Sequence, residues 1–333
     1  MLYNALMLNV KKIFSYILVS IIAIVVIGHV AFIYLIIPGP LQEEKVIIIE
    51  PRTPIKNIAK TLHKEGVVAH RRSFELLAKL YSRFKSPLKS GEYEFTKQIT
   101  PLQVIRILSS GKSVIHKLVI PEGSTVGEIM SKLNAEQRLL GPIQENIEEG
   151  FLMPSTYFYT FRDNRSTIIS NMKSLMSKTL DELVPKLSPS SPLKSRLDVL
   201  ILASIVEKEA GQDSEKPHIA GVFINRLKIG MKLQADPTTI YAITLGKYKL
   251  DHPLTKSELR IKSPYNTYHA KGLPPTPISC PGKKSIEAVV NPLNTKDLYF
   301  VVDGKGGHRF SKTLEEHNNN ISLYKKSPAK NAD

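Results

Sequence analysis

The chain has 333 residues, enough for two domains with full-sized cores, and 42% of them are apolar against 23% charged. Lys and Arg outnumber Asp and Glu by 46 to 30, a formal net charge of +16 that points to an anionic partner: nucleic acid, a membrane surface or a cell-wall polymer. The single cysteine, Cys280, excludes an intramolecular disulfide and a thiolate metal cluster; set between prolines in "TPISCPGKK" with no His partner in view, it reads as a loop residue rather than a nucleophile.

Residues 13–37, "IFSYILVSIIAIVVIGHVAFIYLII", run for 25 positions without an Asp, Glu, Lys or Arg. That is enough to cross a bilayer as a tilted helix. The run is longer than the apolar region of a signal peptide and has no small-x-small cleavage site, so it reads as an uncleaved anchor. Lys11 and Lys12 precede it, and the positive-inside rule then assigns residues 1–12 to the cytoplasm and everything after Pro38 to the far side. Those two lysines are the only charges before residue 41, so +14 of the net charge belongs to the exported part. The anionic partner is therefore sought outside the cytoplasm, which argues against nucleic acid and leaves the membrane surface or the wall.

After the anchor, "EKVIIIE" from Glu44 predicts a short β-branched strand. "TPIKNIAKTLHKEGVV" follows with Ile55, Ile58, Ala59 and Leu62 at helical spacing, Thr53 as the helix cap and Pro54 in its first turn. "HRRSFELLAKLYSRF" puts Phe74, Leu77, Ala78 and Tyr81 on one face of a second helix. "SGEYEF" alternates as a strand, and "TPLQVIRILSSGK" repeats the Thr-Pro helix start before a Gly stop. The order strand, helix, helix, strand, helix makes a small α+β module.

Further on, "VIHKLVI" at 114–120 predicts a strand, "PEGSTVGEIMSKLN" a turn and helix, and "FLMPSTYFYT" at 151–160 an aromatic-rich connection. Ser191 and Pro192 are expected to start a helix that runs through "LKSRLDVLILASIVEKEA" to Gly211. A second, "KPHIAGVFINRLKIG", has Pro217 in its first turn and stops at Gly230. Beyond it the chain is turn-rich, and "LYFVVDGKGGHRF" reads as a strand, a Gly-rich turn and another strand. "DGKGG" lacks the Ser or Thr and the following helix of a phosphate loop. No repeat of 20 to 50 residues occurs.

The chemistry-bearing feature is "ILASIVEKEAG", which ends an apolar helical stretch with Glu207 and Glu209. Positions two apart on a helix point about 200° away from each other, so only one acid can line a narrow site. Glu209 sits over Ile205 and Val206, Glu207 over Ala203 and Ser204. Desolvation and the negative end of the helix dipole would raise the Glu209 pKa, and a carboxyl still protonated near neutrality suits proton donation to a glycosidic oxygen. The bland alternative is two solvated acids at a helix end. Asp236, in "LQADPTTIY", is either a second carboxylate or an ordinary Asp-Pro turn signal. His308 and His317, nine apart with no carboxylate at metal-ligand spacing, suit turn and surface roles; neither a metal nor a cofactor is expected.

Together the blocks "ASIVEKEA", "VFINRLKIGMKLQADPTTIY", "SPYNTYHAKGLPP", "NPLNTKDLYFVVDGKGGHRF" and "EEHN" resemble, in order, those of the endolytic murein transglycosylases, the YceG-like membrane-anchored lytic enzymes of bacterial peptidoglycan. The resemblance covers essentially the whole exported chain. It implies Glu209 as the essential acid. It further implies Asn225, Arg226, Gln234, Asp236, Thr238, Tyr265, Asn266, Thr267 and Tyr268 as residues of the glycan cleft.

The resemblance also implies an α+β fold of three parts: a single transmembrane helix at 13–37, a LysM-like module at 41–112, and a mixed α+β catalytic domain at 166–325. A connecting segment at 113–165 joins the last two, and 326–333 is a tail. Relatives often carry tryptophans where this chain has "GFLMPSTYFY"; Trp is absent here, so sugar stacking would rest on Tyr and Phe. The expected location is the inner cell membrane, single-pass, with the catalytic part outside the cytoplasm. The expected partners are peptidoglycan glycan strands, the lipid bilayer and peptidoglycan synthases (penicillin-binding proteins).

Such an enzyme cleaves the β-1,4 bond between N-acetylmuramic acid and N-acetylglucosamine without adding water, one acid serving twice, with the substrate acetamido group or a polar residue such as Asn266 stabilising positive charge. Two rivals remain open: a membrane-anchored wall-binding scaffold without turnover, and a hydrolase using Asp236 as second carboxylate.

Overall fold

The structure, a computed structural model, describes residues 2–326; Met1 and the rest of the expected tail, 327–333, lie outside the described residues. The fold is mixed α+β, and its contacts divide it into two units: residues 1–116 with 160–162, and residues 117–159 with 163–333.

In the first unit, α1 (Leu2–Ile36) is one continuous helix. Its stretch Lys11–Ile36 has a mean hydropathy of 2.7 and is long and apolar enough to cross a membrane. Then come β1 (Lys45–Ile49), α2 (Ile55–Lys64), α3 (Arg71–Phe84), β2 (Gly91–Phe95) and α4 (Pro101–Ser110), the order the sequence predicts. β1 and β2 pair antiparallel, with Ile47 opposite Tyr93 and Lys45 opposite Phe95. The two-residue period turns Ile47, Ile49, Tyr93 and Phe95 to one face, where they pack with Ile58 and Leu62 of α2, Phe74 and Ala78 of α3, and Val104 and Leu108 of α4.

Helix α4 begins as its Thr-Pro signal predicts: Thr100 and Gln103 form a reciprocal capping box, Pro101 opens the helix, and Gly111 closes it at φ 73°. The same signal at Thr53 works differently. Its hydroxyl donates to the Glu50 carbonyl at 2.7 Å, closing a turn behind β1, and Pro54 becomes the residue flanking α2.

The remainder carries β3 (Ile115–Val119), α5 (Val126–Ala135), β4 (Thr156–Thr160), α6 (Arg165–Leu183), α7 (Arg196–Glu209), α8 (Lys216–Lys228), α9 (Asp236–Thr244), α10 (Lys283–Val290), β5 (Tyr299–Val302), β6 (His308–Ser311) and α11 (Leu314–Lys325). The aromatic stretch expected as a connection is partly a strand, β4, paired with β3; Tyr157 and Tyr159 alternate inward while Phe158 stays exposed. Helix α7 starts later than Ser191 and Pro192 suggest, because Ser195 and Asp198 form the capping box. From Val199 to Val206 every α7 side chain is buried, since α8, α9 and α10 all pack on it. A helix apolar on all sides is a core helix, and this one presents its C-terminal end to the site.

Candidate active site

Glu207 and Glu209 leave the end of α7 in different directions and meet different chemistry. Glu207 is buried and saturated. Its carboxylate accepts from the Lys216 Nζ of α8 at 3.2 Å, from the Gly282 N–H at 2.9 Å and from the Ser285 hydroxyl of α10 at 2.6 Å. It ties three elements together, and neither the solvated nor the catalytic reading applies to it.

Glu209, the last residue of α7, lines a cavity of about 540 Å³ together with Arg226, Gln234, Asp236 and Tyr268. The volume lies in the range of small-molecule sites. The opposite wall is β5, from Tyr299 to Val302, with His308 of β6 and Leu314, His317, Asn318 and Ile321 of α11. Burial pushes the Glu209 carboxyl up to about 8; the charge of Asp236 pushes the same way, and Arg226 pulls against both. The group is thus an acid that keeps its proton at neutral pH.

Asp236 opens α9 and accepts a hydrogen bond from the Tyr268 hydroxyl at 2.6 Å. Burial first, and then that bond to Asp236, raise the Tyr268 phenol. Arg226, buried on α8, is clamped from two sides: Nε donates to the Leu298 carbonyl at 2.6 Å and Nη1 to the Leu233 carbonyl. Its guanidinium lies 5.5 Å from the centre of the Tyr299 ring. Gln234 sits at φ 51°, a left-handed conformation that a non-glycine residue adopts only when held. Its N–H donates to the Thr267 carbonyl at 3.3 Å.

The other residues expected in a glycan cleft are not among those lining this cavity; they build its frame. Thr267 Oγ1 accepts from the Ala235 N–H at 3.0 Å and bonds Thr238 Oγ1 at 2.8 Å, fixing the backbone beside Gln234 and Asp236. Asn266 is fully buried. Its amide nitrogen donates to the Leu259 and Ile261 carbonyls, and its amide oxygen accepts from Thr239 Oγ1 and the Tyr268 N–H. With those atoms committed, Asn266 is not free to stabilise charge on a substrate as the sequence suggests. Asn225 donates to the Thr295 and Asp297 carbonyls at 2.9 and 3.1 Å, holding the segment that leads to Leu298. Tyr265 stacks obliquely on Tyr241 with ring centres 5.0 Å apart and bonds Thr276.

Two histidines expected at turns and on the surface stand elsewhere. His308 is nearly buried, with Nδ1 2.8 Å from Glu215 Oε2, because β6 folds back over the N-terminal side of α8. His317 stacks on Tyr299 with ring centres 5.2 Å apart; burial and then the Arg226 charge hold it below the usual imidazole range. The strand-turn-strand signal located β5 and β6, but nothing in the local pattern identified them and α11 as a cavity wall. Cys280 is buried, and burial pushes its thiol up, away from nucleophilic use. Among the described residues, no three His, Cys, Asp or Glu side chains gather as a metal site.

The sequence profile of the YceG-like family matches residues 47–323. Over 300 residues the chain is 31% identical to the endolytic murein transglycosylase of Bacillus subtilis strain 168, a match covering 79% of this chain and 80% of that one. It is 28% identical over 316 residues to the endolytic murein transglycosylase of Streptococcus pneumoniae strain D39, covering 80% of this chain and 56% of that protein, little over half its length. The crystal structure of a yceG-like protein from Listeria monocytogenes superposes with a TM-score of 0.52 at 32% identity, covering 84% of this chain and 99% of that one. The chain belongs to the YceG-like family.

Proposed function

We propose that this protein is a membrane-anchored endolytic lytic transglycosylase, cleaving MurNAc-β-1,4-GlcNAc bonds within nascent peptidoglycan strands and so ending their elongation. The observation that carries the reading is Glu209: a carboxyl with a pKa near 8 in the wall of a sugar-sized cavity, beside a second acid that is wholly engaged in structure. Cleaving a glycosidic bond calls for a proton donor to the leaving oxygen, and the relatives are named endolytic murein transglycosylases.

In this mechanism the Glu209 carboxyl gives its proton to the glycosidic oxygen as the C1–O bond breaks and the GlcNAc 4-hydroxyl leaves. The carboxylate then takes the proton of the muramyl 6-hydroxyl as that oxygen closes onto C1, leaving a 1,6-anhydro end and a reprotonated Glu209. No water is consumed, and no second carboxylate has to act on the substrate. Burial first, and then the negative charge of Asp236 held by Tyr268, keep Glu209 protonated beforehand, and the same charge stabilises the positive charge that develops on the ring. Tyr299 and Phe300 are the aromatic residues of β5 in the cavity wall, and their exposed edges offer apolar contact to a sugar.

The order β1, α2, α3, β2 supports reading residues 41–112 as a LysM-like module that holds GlcNAc-containing strands, with 166–325 as the catalytic part. The apolar part of α1 supports a single-pass anchor with residues 1–12 in the cytoplasm, which would keep the enzyme beside the peptidoglycan synthases. The exported charge of +14 suits the carboxylates of wall peptides.

A hydrolase is the second reading, favoured by Asp236 standing in the same cavity as Glu209. A scaffold that binds strands without cutting them is the third. Mass spectrometry of uncrosslinked glycan strands after incubation with the full-length protein separates the three. Internal anhydro-muramyl ends support the proposal, new reducing ends the hydrolase, and intact but bound strands the scaffold.

A further inference from the structure

The outward face of α3 carries a stripe that its own unit leaves uncovered. Leu76, Leu80 and Phe84 follow one another at i, i+4 and i+8 and are 68%, 53% and 76% exposed. Arg72, Lys79 and Arg83, all exposed, run along one edge of the stripe. Lys79 pairs with Glu75 at 2.7 Å; among the described residues the two arginines make no ion pair. An exposed phenylalanine and two leucines are seldom left to water without use.

The position of α3 beside the anchor says what covers the stripe. Tyr34, three residues before the end of the apolar run at Ile37, donates its hydroxyl to the carbonyl of His70 at 3.1 Å, and His70 is the residue that flanks the start of α3. Leu35 packs against the core of the same unit. If α1 spans the membrane, Tyr34 lies at the level of the headgroups, where tyrosines concentrate, and the first turn of α3 lies there with it. A 14-residue helix is about 21 Å long; rising straight from the surface it would lift Phe84 far into water, whereas lying along the surface it sinks the whole stripe at one depth. Apolar residues edged by arginines are the composition of an interfacial helix, the cations meeting anionic headgroups.

We propose that α3 lies on the outer surface of the membrane that holds α1, with Leu76, Leu80 and Phe84 among the upper acyl chains and Arg72 and Arg83 on anionic headgroups. The arrangement rests on the anchor reading of α1 and gives the first unit a second hold on the bilayer, fixing its orientation instead of leaving it on a swivel.

Cys280 is buried, so a single engineered cysteine takes the label. The full-length chain is reconstituted in vesicles of phosphatidylglycerol and phosphatidylcholine with an environment-sensitive fluorophore on Ile24→Cys, Leu76→Cys, Leu80→Cys or Phe84→Cys. Lipids carrying a nitroxide near the headgroup or deep in the chains serve as quenchers. The expected result is a loss of fluorescence to the shallow nitroxide at 76, 80 and 84 and to the deep one at 24. With Arg72→Glu and Arg83→Glu added, quenching at 80 weakens. Deep quenching at 24 with none at the three α3 sites overturns the proposal and leaves the anchor standing. Blue-shifted emission at those sites without lipid quenching also overturns it, because protein then covers the stripe. No lipid quenching at 24 removes the anchor reading, and the proposal falls with it.

Discussion

The hydroxyl of Tyr268 donates to Oδ1 of Asp236 at 2.6 Å, joining the start of α9 to a loop 32 residues further on at the edge of the cavity that Glu209 lines. The bond holds a negative charge where it raises the Glu209 carboxyl. Removing it with Tyr268→Phe gives up a charge-assisted hydrogen bond worth about 1–2 kcal/mol, so kcat is expected to fall roughly 10-fold with the protein still folded. Steady-state kinetics beside a thermal melt checks this.

The pH dependence follows from Glu209 with its sign fixed. The protonated form is the competent acid, so strand cleavage is expected to hold through neutrality and fall as pH rises through about 8. Asp236→Asn removes the neighbouring charge that raises the group, and the alkaline limb of the pH–rate profile moves to lower pH. An alkaline limb unchanged in Asp236→Asn would separate the two residues.

The same shift is a stability statement. Glu209 has a folded pKa of about 8 against an ordinary value of 4.5. Below 4.5 both states are protonated and folding carries no penalty; between the two values the unfolded chain ionises while the folded one resists, and the penalty grows until pH passes 8. Glu209→Gln removes it. The variant is expected to be inactive and more stable than the parent by about 1–3 kcal/mol at pH 7, with the gain vanishing toward pH 4. Denaturant unfolding at the two pH values measures the difference.

Glu207 behaves in the opposite way. Glu207→Gln weakens its hold on the buried Lys216 and changes a site built around two carboxylate oxygens, and a loss of about 2–3 kcal/mol is expected. The Asp213 carboxylate, 2.8 Å from Lys216, limits the loss. The folded fraction keeps near-parental kcat, because Glu207 does not line the cavity.

Thr267→Val tests the frame. It leaves the Ala235 N–H without its partner and loosens the turn that carries Gln234 and Asp236. A stability loss of about 1–3 kcal/mol is expected, together with a higher KM, since the cavity wall shifts without losing a lining side chain.

Much of the fold could be read locally. The apolar helix α1, strand alternation, the Thr100 cap, and Pro217 in the first turn of α8 are signals confined to a few residues, and each acts at short range. That Glu207 and Glu209 face different surroundings is also legible in the sequence, but the fold gives a different physical reason for it. The sequence shows an apolar stripe under Glu209, whereas α7 is buried on every side from Val199 to Val206; what separates the acids is that Lys216, Gly282 and Ser285 converge on Glu207. Those partners lie nine, 75 and 78 residues away in the chain, beyond any local pattern. The division of the cleft residues into lining and frame was illegible for the same reason. Thr238, Asn266 and Thr267 have polar side chains that suit sugar contacts, and only the folded chain brings their partners within reach. The wall made by β5 and α11 faces Glu209 from about 90 residues or more further along the chain, a pairing that periodicity cannot report.

Whether Glu209 alone supplies the acid is tested most directly by muropeptide mass spectrometry of glycan strands treated with the full-length protein and with its Glu209→Gln and Glu207→Gln variants, each confirmed folded. Internal 1,6-anhydro-muramyl products are expected from the parent and from Glu207→Gln, and none from Glu209→Gln. Anhydro products persisting in Glu209→Gln, or lost from a folded Glu207→Gln, would contradict the assignment.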